Sequence, residues 1–537
     1  MERELIADVV RREIAAMLGC AVSDIRLKQP LAALGFDSLL TVELVERAAA
    51  ATGRSVAEDM LAQIECADDL VRCLAGAVPT DAGAGAGGAV DAATGAAPRR
   101  FQVTSRSSLV RSLRGLQRQL GLPVDAVGDE VTTFWDVHSA MQDGGGFPWN
   151  IPTANVTART LDVDGRRLRV FSSYSYLGLI DDPRVKAAAI AACERYGTGA
   201  HGVRALLGDL EIHRQLERRI AGLYKREAAL LFSTGYLANV GVIPALVREE
   251  DYILMDAFSH VSLLQGCQLS QANLLRFRHN DISDAEAVYR SIPEDDLRRG
   301  ARVYMVADSV FSMDGDVFDL PRASAFCREH DVFLILDEAH AFGCIGETGL
   351  GVEQYHGLRG VTNLVIGTLS KGIPSAGGFA VGSARIVEFL RYGFAAPNTF
   401  SSPLSPYHCG AALATLDIME SEPDRLARLH DVSDHLRRSL HEHGFDTGLS
   451  ETPIVPLLIG SELDTIFVWR HLFEQGFFTA AVIAPAVAIG KARLRLVAHA
   501  EHTREDVDVF IDALLAARSA LAESGPVREY SPPVGSR

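Results

Sequence analysis

The sequence predicts two folded units of different class: a small all-α bundle, then a larger α/β unit built on a mostly parallel sheet. Three observations predict this. Residues 80–97, TDAGAGAGGAVDAATGAA, offer almost nothing apolar to bury and read as a flexible linker dividing the chain. Before it, apolar residues recur at three- and four-residue spacing, the signature of amphipathic helices. After about residue 150, apolar runs of strand length alternate with amphipathic stretches, as in sheets buried on both faces.

In the small unit, residues 1–79, Leu5, Val9, Ile14 and Met17 outline one face of a first helix, and a loop containing Pro30 follows. A second helix starts near Ser38, because Asp37 and Ser38 suit a helix N-terminus and Leu39, Leu40, Val42, Leu44 and Val45 keep helical spacing. A last helix spans roughly 57–74, giving a bundle of about four. The linker extends over 80–100, and 101–150 reads as a bridging arm of irregular helices. The large domain, 151–385, holds the runs ALLFS (229–233), DYILMD (251–256), VYMVADS (303–309), VFLILDE (332–338) and NLVIGT (363–368). Residues 386–520 form a smaller α+β domain with a strand at ARLRLVA (492–498), and 521–537 is a tail.

Composition narrows the function. The 537 residues carry 52 basic and 69 acidic side chains, a net charge of −17. That disfavours nucleic acid and anionic membrane surfaces as partners. No apolar run reaches the roughly 18 residues of a membrane span; the best candidate, 477–490, is short and broken by Pro485. The start, MERELIADVVRRE, has no apolar signal core, and the eight cysteines form no CxxC pair. Free thiols in a reducing cytoplasm and no metal site are therefore expected.

Gly35-Phe36-Asp37-Ser38-Leu39 sets a hydroxyl at a helix start inside the small bundle. It resembles the attachment motif of acyl carrier proteins. The resemblance implies that Ser38 carries 4′-phosphopantetheine, whose phosphate charge a helix N-terminus favours.

In the large unit, Lys371 follows the buried run NLVIGT, and Asp337 ends the buried run FLILD. A carboxylate so placed needs a cationic partner. Parallel strands bring their carboxyl ends to one edge, where α/β proteins bind ligands. A lysine that can form a Schiff base and an acid for a pyridinium nitrogen are the demands of pyridoxal phosphate (PLP). Ser233-Thr234-Gly235-Tyr236 opens a helix directly after a strand and offers amides to a phosphate, with Thr368 adding a hydroxyl.

STGYLAN (233–239), SHVSLLQG (259–266), VFSMDGD (310–316), DEAHAFG (337–343) and GTLSKG (367–372), all in the family order, resemble the PLP-dependent α-oxoamine synthases. That family includes aminooxononanoate synthase and serine palmitoyltransferase, and its fold is the aspartate aminotransferase-like PLP fold-type I. The resemblance implies roles. Lys371 would form the Schiff base, Asp337 would pair with the ring nitrogen, His340 would bond the phenolic oxygen and His260 would stack on the ring. Gly235, Tyr236 and Thr368 would hold the phosphate, and Ser312 would contact the cofactor region. Arg495 would bind the substrate carboxylate, although Arg493 lies on the same strand face. Ser402, in Phe400-Ser401-Ser402-Pro403, would reach the phosphate of the neighbouring subunit in a homodimer. Tyr174, in Tyr-Ser-Tyr-Leu-Gly (174–178), replaces the usual asparagine, as in serine palmitoyltransferases.

The implied reaction is a decarboxylative condensation of an amino acid with a carrier-bound acyl thioester, giving an α-aminoketone, as in natural-product assembly lines. A phosphopantetheinyl transferase and an acyl-loading enzyme would be partners. Two rivals are another PLP-dependent transferase or aldolase acting on a carrier-bound group, and a non-catalytic carrier scaffold. The presence of Lys371, Asp337, His260 and His340 disfavours the scaffold.

Overall fold

The computed structural model describes residues 2–18, short stretches between 22 and 76, and 148–524 apart from 485 and 489. In the small unit, α1 (Glu2–Leu18) packs on α2 (Ala67–Gly76). Their shared core holds Ile6, Val10, Ile14, Leu44, Val45, Leu70 and Leu74. The buried stripe of α1 is thus Ile6–Val10–Ile14, and Leu5 is 69% exposed. One residue turns a helix by about 100°, so Leu5 faces away from a stripe spaced by four. Ser38, residues 57–63 and 65 of the predicted 57–74 helix, the 80–100 linker and the 101–147 part of the arm lie outside the described residues, and the 67–74 part of that helix is seen in α2.

The large unit is organised by a seven-stranded sheet, preceded in the chain by the helices α3 (Pro183–Tyr196) and α4 (Glu211–Leu223). Its strands are β3 (Ala228–Phe232), β4 (Tyr252–Asp256), β5 (Asn273–Phe277), β6 (Val303–Asp308), β7 (Phe333–Asp337), β8 (Leu364–Thr368) and β9 (Gly378–Gly382). They lie in the order β3-β9-β8-β7-β6-β4-β5. All run parallel except β9, which pairs antiparallel with both β3 and β8. Every residue of β4, β6, β8 and β9 is buried. That is why these segments read as continuous apolar runs rather than alternating ones. Separate apolar clusters cover the two faces, one with Leu254, Met305, Leu334 and Leu336, the other with Ile253, Tyr304, Ile335 and Ile366.

The smaller region is built on the antiparallel sheet β10 (Ile454–Gly460), β13 (Ala492–Val497) and β12 (Ala480–Val482), with β13 central. An early hairpin, β1 (Thr160–Val163) and β2 (Arg166–Val170), joins it by pairing β2 in parallel with β11 (Phe477–Phe478). Asp164 and Gly165 turn this hairpin with φ of 48° and 77°. Such values suit the mirror-image turns that match strand twist. The turn hands the chain back so that 174–178 reaches the carboxyl edge of the main sheet, where Tyr176 bonds to a residue following β7.

Candidate active site

The carboxyl ends of β3, β4, β6, β7 and β8 deliver the chemistry. After β3, Thr234 caps α5 (Gly235–Leu246), its hydroxyl accepting from the Leu237 amide at 3.0 Å. The free amides of this first turn form a site for an anion. Gly235 faces Thr368 so closely that a Cβ there would sit 3.0 Å from the threonine side chain. The absence of a side chain therefore keeps the cradle open. Tyr236, in the same turn, is partly exposed. Ser233 Oγ donates to the Ser402 carbonyl at 2.6 Å, which brings the 400–403 segment against the cradle of its own chain.

After β4, His260 caps α6 (Val261–Ser270). Its backbone amide donates to Asp308 at 2.8 Å, and its Nδ1 lies 2.7 Å from Ser262 Oγ. Asp308 ends β6 in register with Asp337 at the end of β7. Burial, reinforced by the Asp337 charge, holds Asp308 well above the usual carboxylate range. Asp337 accepts from the Ala339 amide at 2.8 Å and from Asn239 Nδ2 at 2.6 Å. Asn239, fully buried on α5, also donates to Ser262 at 2.9 Å. A continuous polar path therefore links His260, Ser262, Asn239 and Asp337.

Lys371 follows β8, and its Nζ lies 2.8 Å from His340 Nε2. Burial brings its pKa down to about 8, with Asp337 pulling upward and Arg495 pushing downward. Near neutral pH an appreciable share of this amine is therefore unprotonated and nucleophilic. His340 is held well below its ordinary range by burial and then by the charges of Lys371 and Arg495. Its Nδ1 lies 2.6 Å from the Tyr176 hydroxyl.

The two strand arginines separate in the fold. Arg493 donates to Asp314 at 2.6 Å and to the Met313 carbonyl at 3.0 Å. Arg495 donates from Nε to the Ser312 carbonyl. Its guanidinium lies 4.8 Å from the Tyr174 ring centre, and Nη2 is buried with no partner. Lys371 Nζ is 5.7 Å from the same ring. A buried unpaired guanidinium nitrogen beside a nucleophilic amine is suited to an anionic substrate group.

Sequence reasoning singled out Lys371, Asp337, His340, His260, Thr368, Gly235, Ser312 and Arg495, and the fold gathers all of them at this edge. It missed Asn239, Ser262, Asp308 and Tyr176. Asn239 stood inside the quoted STGYLAN run, where a polar residue amid apolar neighbours was the available signal.

The aminotransferase class I and II profile matches residues 169–514, more than half of the chain. The chain belongs to the aminotransferase class I and II family. A phosphopantetheine attachment site profile matches residues 8–74, which makes the small unit a carrier domain. The chain is 39% identical over 363 residues to the 8-amino-7-oxononanoate synthase of Symbiobacterium thermophilum, covering 68% of this chain and 91% of that protein. It is 36% identical over 353 residues to the serine palmitoyltransferase of Sphingobacterium spiritivorum, covering 66% and 87%. A solved structure of SPT with its PLP internal aldimine superposes with a TM-score of 0.69 at 29% identity, covering 72% of this chain and 97% of that one. The large unit accordingly has the fold-type I architecture. The site fits PLP on its own geometry: an amine of lowered pKa, a buried carboxylate fixed by Asn239, and an open amide cradle meet at one edge.

Proposed function

We propose that the chain condenses an amino acid with an acyl thioester, with loss of carbon dioxide, to give an α-aminoketone. The observation that carries this reading is the convergence of Lys371, Asp337 and His340 with the unpaired Nη2 of Arg495. When bound, PLP supplies an electron sink for negative charge at the substrate α-carbon. Lys371 would hold the cofactor through its amine and, once free, would serve as the base for the α-proton, burial having lowered its pKa to about 8. Asp337 keeps the ring nitrogen protonated, and Asn239 keeps the carboxylate aimed. His260 would stack on the ring, and His340 would bond its phenolic oxygen. The α5 amides, Gly235, Tyr236 and Thr368 hold the phosphate, and Ser312 lines the approach. Arg495 binds the substrate carboxylate. Arg493 does not compete for it, being taken up by Asp314.

Ser38 would carry phosphopantetheine and present the acyl group to the same site. The reading includes a homodimer in which Ser402 reaches the neighbouring site, and a cytoplasmic place in an assembly line. Among the described residues no helix is long and apolar enough to cross a membrane. Every cysteine among the described residues is a free thiol.

The test is to load the carrier with candidate acyl groups, add single amino acids, and measure carbon dioxide release, thioester consumption and the mass of the product. Stoichiometric release with a new ketone is expected. An amine exchange without carbon dioxide would assign the site to transamination instead. Lys371→Ala should abolish the cofactor absorption band that the wild type keeps after dialysis; a persistent band would mean another lysine holds the cofactor.

A further inference from the structure

A fully buried phenol stands behind the histidine that touches Lys371. Tyr176 is 0% exposed, and its hydroxyl lies 2.6 Å from His340 Nδ1. On the other side of the ring, His340 Nε2 lies 2.8 Å from Lys371 Nζ. The three groups form one line from the core to the reacting amine. Tyr176 comes from the 174–178 segment, which the β1–β2 hairpin returns to the sheet edge, so this early part of the chain has a chemical reason to be there.

We propose that Tyr176 is a positioning residue that fixes the tautomer of His340, keeping the proton on Nε2 so that the ring donates toward Lys371 and toward the cofactor's phenolic oxygen. The inference rests on the PLP reading above. A phenol has a single proton to give. Burial pushes the Tyr176 hydroxyl above its ordinary range, so it stays protonated throughout the working pH range. Of the other groups acting on it, Arg495 is a donor with nothing to accept, and Cys344 and Tyr174 make no hydrogen bond to the hydroxyl. The phenol's proton therefore points to Nδ1. A neutral imidazole that accepts at Nδ1 must carry its proton at Nε2, and His340 is neutral because burial and the charges of Lys371 and Arg495 oppose its protonation. An Nε2–H facing the amine disfavours the ammonium form of Lys371. Facing a phenolate oxygen, the same N–H stabilises it. Without the phenol, the ring can hold its proton at Nδ1 and offer Nε2 as an acceptor, which would reverse both effects.

The test uses the full chain with and without cofactor. The charged and titratable groups acting on this line are Lys371, Arg495, His260, Asp337, Asp308 and Cys344, with Tyr174 against the imidazole edge. In cofactor-free protein, the pH midpoint for acylation of Lys371, followed by peptide mass, should rise by about 0.5–1 pH unit in Tyr176→Phe, the worth of one hydrogen bond. In PLP-loaded protein, the pH midpoint of the cofactor band should rise in the same variant. In a His340→Ala background, Tyr176→Phe should move neither midpoint, because the phenol acts through the imidazole. Unchanged midpoints in Tyr176→Phe, in a variant whose circular dichroism matches the wild type, overturn the proposal. An equal shift in the His340→Ala background overturns it too, since the phenol would then act directly. Failure of the parent reading looks different: the wild type would hold no cofactor band at all.

Discussion

At the scale of single residues, the site depends on polar groups whose partners are inside the protein. Asn239 has lost all contact with water and spends both amide protons on Ser262 and Asp337. Removing it strands a buried carboxylate oxygen. Asn239→Ala is expected to weaken PLP binding about tenfold, corresponding to ~1.4 kcal/mol, as read by cofactor titration, with the Lys371 band still formed. His279 makes a second, structural case. It sits between Asp256 and Asp316, at 3.1 Å from each, with Phe258 stacked on it and Phe311 against its edge. Burial works to lower its pKa, but the hydrogen bonds to the two carboxylates prevail and bring it up to about 10. Because the folded value lies above the unfolded one, the stabilisation is complete below about pH 6.5 and is lost as pH rises through 10. Denaturant unfolding of His279→Gln should therefore show its largest deficit against the wild type below pH 6.5 and a shrinking one toward pH 10. A deficit constant with pH would show that the imidazole acts by packing alone. The strand-end residues Asp337 and Lys371 were legible in the sequence because a charge closing a buried apolar run has few structural excuses. Asn239 and Tyr176 were not, because a buried polar partner carries no periodicity and declares itself only through what it touches. Spacing alone could not choose between Arg493 and Arg495, for a simpler reason. Two residues apart on one strand share a face, and it took Asp314, 179 residues away, to separate them.

At the scale of elements, the phosphate cradle is a strand, a turn and a helix N-terminus acting together. Thr234 caps α5, and Gly235 gives up its side chain so that the first amides stay open beside Thr368. Gly235→Val would push side-chain atoms into Thr368 and the anion's place. Its affinity for PLP should fall by roughly tenfold, the worth of about one charge-assisted hydrogen bond, while affinity for pyridoxal, which lacks the phosphate, should hold. Equal losses for both ligands would place the damage in the fold rather than the cradle. The strands buried on both faces were readable from their apolar runs. β9 was not, because the two glycines of GFAVG weaken any strand signal. The β1–β2 hairpin carried a readable turn in Asp164-Gly165, but its flanks, TLDV and RRLRV, mix charge with apolar residues and bury only one face.

At the scale of the whole chain, a carrier domain and a condensing domain on one polypeptide change how substrate is supplied. A separate acyl donor reaches the site at its bulk concentration. On the proposed reading, a donor tethered through Ser38 would reach it at an effective concentration set by linker length, in the millimolar range for a short flexible tether. Residues 80–97 are nearly all Ala, Gly, Thr and Asp, the composition expected of such a tether. The consequence is kinetic. After Ser38 is loaded once, single-turnover product formation per chain should stay constant on tenfold dilution of the protein, because the thioester travels with its own catalyst. Ser38→Ala should keep the PLP absorption band, since its change lies in the carrier and leaves Lys371 untouched, yet lose all turnover from carrier-loaded substrate. A rate that falls in proportion to dilution would mean that the acyl group is exchanged between molecules. Equal turnover by Ser38→Ala would mean that the site takes its thioester from free solution and that the fused carrier serves another step.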